Sequence, residues 1–144
     1  MEGKREEGEA MEITTPLIDV LGKFLDLTTT QFKLTSSNVA NLDTPNYRTV
    51  GIDFASEFSA AASEALAARQ DGSNGQPAGT GLPASSAGAP VVERVGGLLE
   101  RPDGNNVSMD REGLNLAKEQ LDYKTGIELL RGQLSVIRSA IQAQ

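Results

Sequence analysis

The C-terminal end of this chain carries an unbroken hydrophobic register. Leu116, Gln120, Tyr123, Ile127, Leu130, Leu134, Ile137 and Ile141 recur at alternating steps of four and three. That spacing brings the side chains onto one face of an α-helix, as in the seam along which helices pair. Leu114, Leu121, Leu129 and Val136 stand beside the seam, so the apolar stripe is wider than one partner helix covers. A helix over residues 110–143 with such a stripe is expected to be an association surface as well as a core element. Gly126 and Gly132 lie inside it. Each costs about 1 kcal/mol relative to Ala, and each permits close approach of another backbone. Asp110 is the expected N-cap, with Glu112 in the first turn behind it.

The other end of the chain repeats the pattern. Ile18, Leu21, Leu25, Thr28, Phe32, Thr35 and Val39 follow the same three-four steps, with Leu17 and Phe24 widening the stripe. Thr15 before Pro16 is a good helix start, since Thr caps and Pro suits the first helical position, and Asp19 adds negative charge in the first turn. Pro45 lacks an amide hydrogen and disfavours a helical Thr44, which ends the helix near Asn41 or Leu42. The helix within residues 15–42 is thus about 25 residues, roughly 37 Å, long. Thr28, Thr29 and Thr30 lower its intrinsic propensity, so it needs partners. The fold class that follows is mainly α: long N- and C-terminal helices packing as a coiled-coil-like hairpin or bundle around a small irregular or β middle portion.

Between the two helices the chain has little to bury. Residues 43–69 read as a turn followed by a short Ala-rich helix, capped by Asp53 and carrying Phe54, Phe58, Ala61, Ala62, Ala65 and Leu66 on one side. Residues 70–90 are nearly all Gly, Ala, Ser, Pro and polar side chains, the composition of a disordered loop. In residues 91–109, Val91 to Val95 favours a short strand, Gly96-Gly97 a tight turn, and Leu98 to Arg101 a strand pairing back as a hairpin. Residues 1–12 hold five Glu without apolar periodicity and read as a disordered acidic tail.

Composition narrows the chemistry. The chain has 144 residues, a formal net charge of −7 and no run among its 13 basic residues, which argues against nucleic acid as a partner. It contains neither His nor Cys, the commonest metal ligands and the side chains most used as base or thiol nucleophile. Asp53, Glu57, Asp103 and Asp110 stand in capping or turn contexts rather than as a shielded catalytic pair. No catalytic residues, cofactor or metal site are expected. No apolar run reaches the roughly 20 residues of a membrane span, and residues 1–12 do not resemble a Sec signal peptide. If the protein is exported, an uncleaved chain is the expected substrate.

The stop after the first helix has the sharpest local signature. In SNVANLDTPNY, Asn38 and Asn41 are placed to satisfy helix-end carbonyls, Thr44 and Pro45 end the helix, and Tyr47 can anchor the turn. Ala40, Asn41, Thr44, Pro45 and Tyr47 match an ANxxTPxY pattern that resembles the N-terminal signature of flagellar rod and hook proteins. The following YRTVGIDFASEF, together with DGNNVSMDRE and LAKEQLDYKTGIELLRGQLSVIRSAI, is similar to the proximal rod protein FlgB family. The resemblance covers about residues 17–74 and 91–141, and the loop between is unconstrained.

That resemblance implies a structural subunit of the bacterial flagellar basal-body rod, transmitting torque by helical assembly and needing no cofactor. Its implied partners are other rod subunits, itself and the ring or export-gate adaptor at the rod base, in the periplasm, after type III export. It also assigns the signature turn (Asn38, Ala40, Asn41, Thr44, Pro45, Tyr47) to subunit contacts as well as to the helix stop. The assembly seam would be Ile18, Leu21, Leu25, Phe32 and Val39 with Leu116, Tyr123, Ile127, Leu130, Leu134, Ile137 and Ile141. A soluble helical adaptor or export-chaperone-like binding module is the alternative, since it too would present an apolar helical stripe.

Overall fold

A computed structural model describes residues 16–70 and 89–142. The acidic tail expected over 1–12, the Thr15 cap and nearly all of the loop expected over 70–90 lie outside the described residues. The elements run α1 (Pro16–Ala40), β1 (Val50–Gly51), α2 (Phe54–Gln70), β2 (Glu93–Arg94) and α3 (Met109–Gln142). This is the mainly helical architecture expected, with the two long helices packed together and a two-stranded sheet at one end.

α1 and α3 lie antiparallel. Asn38 meets Glu112, Thr35 meets Glu119, and Gly126 faces Phe24 and Leu25, so positions descend along one helix as they ascend along the other. At Gly126 a Cβ would stand 2.8 Å from Leu25 Cδ2 and 3.1 Å from Phe24 Cδ1, so the missing side chain is what admits α1 there. Gly132 has nothing within 4 Å of the same point. Thr28, Thr29 and Thr30 do not break α1, because each hydroxyl donates to a carbonyl one turn back: Phe24 O (2.7 Å), Leu25 O (2.8 Å) and Asp26 O (3.0 Å).

α2 attaches to α1 through aromatic rings, sharing Phe24 with the α3 contact at Gly126. Phe24 meets Phe54 edge-on at 5.5 Å and Phe58 edge-on at 5.7 Å, while Phe54 and Phe58 stack at 6.0 Å. Asp53 caps α2 as expected, its Oδ1 accepting the Ser56 amide at 3.2 Å.

Two local expectations are corrected. β2 pairs antiparallel with β1, Val50 opposite Arg94 and Gly51 opposite Glu93, and not with residues 98–101 as a local hairpin. The reason is that Thr49 is already fixed by Asn106, which leaves its carbonyl free to accept the Val95 amide at 2.9 Å. The 98–101 stretch is committed elsewhere: Glu100 pairs with Arg48, and the Arg101 amide donates to Asn105 O. The second correction is the cap of α3, which starts at Met109 directly after Ser108, with Asp110 inside its first turn. Asn105 Oδ1 accepts the Val107 amide at 2.7 Å, so Ser108 is the first residue free to enter the helical turn, and its carbonyl accepts from Glu112 N–H.

The interior is more polar than apolar. Among the described residues, Leu21, Leu27, Ala61 and Val107 are the buried hydrophobic side chains. Thr28, Thr35, Asn38, Thr49, Asn105, Asn106, Glu112 and Glu119 are buried beside them. Gly126 and Gly132 of α3 have opposite roles. Gly132→Ala is expected to raise stability by up to about 1 kcal/mol through helix propensity, whereas Gly126→Leu should lower it by about 1–3 kcal/mol through overpacking against α1. Thermal melts of the two variants followed by circular dichroism at 222 nm measure both.

Candidate functional site

α1 ends in a series of tightening turns. The Asn41 amide donates to both Ser37 O and Asn38 O at 3.1 Å, Leu42 N–H to Val39 O at 3.1 Å, and Thr44 N–H to Asn41 O at 3.1 Å. Within the turn, Asn41 Nδ2 donates to Ser37 O at 2.8 Å and Thr44 Oγ1 donates to Asn41 Oδ1 at 3.1 Å. Asn46 then adopts a φ of 60°, the left-handed conformation that Asn tolerates better than most residues.

The carbonyls that this stop leaves over are capped from the far end of the chain. Asn105 is fully buried, and its Nδ2 donates to Asn41 O (3.0 Å), Leu42 O (3.0 Å) and Thr44 O (2.8 Å). Arg101 Nη1 reaches Leu42 O as well, at 3.2 Å. Gly104 is required beside it: its φ is 80°, and a Cβ there would lie 2.6 Å from Asn46 Oδ1. The segment leading into α3 and the turn leaving α1 thus form one hydrogen-bonded knot.

A second knot joins the same partners one layer deeper. Asn38 donates from Nδ2 to Val50 O (2.9 Å) and Glu112 Oε2 (3.1 Å), and its Oδ1 accepts from Val50 N–H (3.1 Å) and the Tyr47 hydroxyl (3.2 Å). Asn38 therefore zips α1 to β1 and α3 instead of satisfying helix-end carbonyls, because a buried side chain facing both neighbours has better-placed partners there. Asn106 Oδ1 accepts the Thr49 amide at 2.7 Å and its hydroxyl at 3.0 Å. Arg111 donates to Thr49 Oγ1 (3.2 Å) and, from Nε and Nη2, to Glu112 Oε1. Asn38, Thr49, Val50, Arg111 and Glu112 border an open groove of about 260 Å³ that includes Leu34, Val95 and Leu98.

Farther along the interface, Glu119 is buried and accepts from Thr35 Oγ1 at 2.7 Å through Oε1. Burial raises its carboxyl above the ordinary carboxylate range; the Thr35 hydroxyl opposes that shift, and nearby Glu112 adds to it.

The structure brings the signature residues together in the turn: Asn38 is buried, Asn41 and Tyr47 are half-buried, and Ala40, Thr44 and Pro45 are exposed. The seam residues are divided. Leu21 is buried, and Ile18, Leu25, Val39, Leu116, Ile127, Leu130 and Ile137 are half-buried. Phe32, Tyr123, Leu134 and Ile141 face solvent, the last two 51% and 59% exposed. The line of α3 that meets α1 most closely is Glu112, Glu119 and Gly126, itself a heptad but with no apolar member to mark it. Asn105 and Asn106 also escape a reading from sequence, where they lie in an extended lead to the helix. Their only local sign is the preceding Asp103-Gly104 turn.

A helical hairpin with a polar-clamped turn, small peripheral strands and long apolar stripes left outside defines a structural subunit rather than a module built around a ligand pocket. Among the described residues no cluster of His, Cys, Asp or Glu is placed to hold a metal ion, and no helix is long and apolar enough to cross a membrane. No protein-family model matches the chain. Individual relatives do. It is 32% identical over 120 residues to the flagellar basal body rod protein FlgB of Yersinia enterocolitica, covering 82% of this chain and 88% of the relative. It is 32% identical over 125 residues to that of Salmonella typhimurium (82% and 87%). To that of Cereibacter sphaeroides it is 33% identical over 132 residues (88% and 94%). The chain belongs to the FlgB family of flagellar basal body rod proteins. It is a structural subunit of the basal-body rod, and the adaptor alternative is not favoured.

Removing the Asn105 amide takes away the one donor that three carbonyls of the turn share, leaving each with its weaker second partner. Asn105→Ala is expected to lower stability by about 1–3 kcal/mol, read as a reduced midpoint of urea unfolding with little change in slope.

Proposed function

We propose that the subunit assembles in the periplasmic part of the rod with copies of itself, other rod subunits and an adaptor at the rod base, transmitting torque without catalysing a reaction. The observation that carries this reading is the inversion of polarity. Leu114, Leu121, Leu129, Leu134, Val136 and Ile141 of α3 are all more than half exposed, while the polar Thr35, Asn38, Glu112 and Glu119 are buried between α3 and α1. Exposed apolar surface on that scale marks an association face. Because Leu114, Leu121, Leu129 and Val136 lie on one face of α3 and Leu134 and Ile141 on another, neighbours are expected on more than one side of α3. The signature turn, with Thr44 and Pro45 exposed, would present a rigid knob to the next subunit.

Leu134→Asp tests it. The side chain is 51% exposed, so the purified variant should keep the helicity and melting temperature of the parent. In cells lacking the native subunit it should still be expressed and exported, yet fail to enter detergent-resistant basal bodies, because assembly would bury a charge in an apolar contact. Normal swimming in soft agar would remove Leu134 from the seam.

A further inference from the structure

We propose that Glu119 is a proton-controlled clasp between α1 and α3, holding the two helices together while its carboxyl carries a proton and loosening them when that proton is lost to solvent. The inference rests on the geometry of the helix pair and not on how the subunit assembles.

Glu119 is 2% exposed, at the middle of the face that α3 turns to α1. Its Oε1 accepts from Thr35, but Oε2 is the one buried side-chain oxygen or nitrogen among the described residues without a hydrogen-bond partner. A carboxylate carries its charge on both oxygens, so ionisation leaves a charged, unbonded atom away from water. Glu112, one heptad earlier, has no such defect, since Arg111 engages its Oε1 and Asn38 its Oε2.

The surroundings do not compensate Glu119. α1 is the described element packed against α3, and what it offers this carboxyl is the neutral Thr35 hydroxyl. On α3 itself Glu112 and Asp122 disfavour ionisation, and exposed Lys118 is the one cation acting on it. The raised carboxyl follows from this arrangement, with burial as its first cause.

The sign of the linkage is definite. A carboxyl raised by folding binds its proton more tightly in the closed helix pair than in the open one. Its stabilisation is complete below the unfolded value of about 4.3, and it is lost as pH rises through the folded value. Every other ionisable group is common to the parent and Glu119→Gln, so the difference between the two isolates this group. The amide keeps the shape and the acceptor for Thr35 but cannot ionise.

The experiment is hydrogen exchange by mass spectrometry, corrected for intrinsic rates, with thermal melts of the full chain, from about pH 4 to about pH 8. Near the acidic limit, parent and Glu119→Gln should have matching melting temperatures. As pH rises, the parent should fall progressively below the variant, and its peptides spanning residues 28–38 and 112–126 should lose protection that the variant keeps. Thr35→Val, which removes the only hydrogen-bond donor to the carboxylate among the described residues, should move the parent's transition to higher pH. A difference between parent and Glu119→Gln that does not change with pH overturns the clasp. So does a transition that persists in Glu119→Gln and vanishes in Glu112→Gln, which would assign the proton to Glu112.

Discussion

One amide nitrogen, that of Asn105, ties together three carbonyl oxygens of the turn that ends α1, and much of the molecule is arranged so that it can reach them. A helix that stops at a proline-containing turn leaves acceptors that water or a side chain must satisfy. Here the donor comes from beyond β2, at the foot of α3. The stop of one long helix and the start of the other therefore form together. Gly104, which admits Asn46 at close range, and the Asn105 acceptor for Val107 are parts of the same arrangement. The antiparallel register follows outward from this knot, through Asn38 and Glu112, then Thr35 and Glu119, to the gap at Gly126.

The extent of the helices was legible because apolar periodicity and the Thr44-Pro45 stop are local signals, readable without knowing the neighbours. Which face of α3 meets α1 was not. Periodicity points to Leu116, Ile127 and Leu134, yet the closest contacts are made by Glu112, Glu119 and Gly126, of which Gly126 alone was expected to admit another backbone. The error has a physical source: a hydrophobic stripe identifies where a helix will be buried eventually, without distinguishing burial within the chain from burial against another copy. The Asn105 contacts were hidden for another reason. An asparagine in an extended lead has the same local signature whether it bonds to water or to carbonyls more than sixty residues away.

The middle of the chain shows how tertiary context displaces local pairing. Residues 91–101 have the composition of a small hairpin, but a two-residue strand contributes few hydrogen bonds of its own. Once Asn106 has fixed Thr49 as an extended template, pairing β2 with β1 uses an ordered edge that already exists. Residues 98–101 are then free to supply Glu100 to Arg48 and Arg101 to Leu42 O, so the stretch joins the sheet to the turn instead of folding on itself.

The polarity of the interior is consistent with this division of labour. Apolar contacts are strong but tolerant of sliding, since one leucine fits many hollows, whereas an amide bonded to a particular carboxylate has a single register. Placing Asn38, Thr35, Glu112 and Glu119 between α1 and α3 fixes how the hairpin is aligned while leaving the leucines and isoleucines of α3 on its outer faces. A hairpin closed by its leucines would be a better isolated fold and a poorer building block, because the surface available to neighbours would already be spent. Alignment by polar contacts and cohesion by apolar ones are thus assigned to different faces of the same helix, which is what a subunit of the basal-body rod requires.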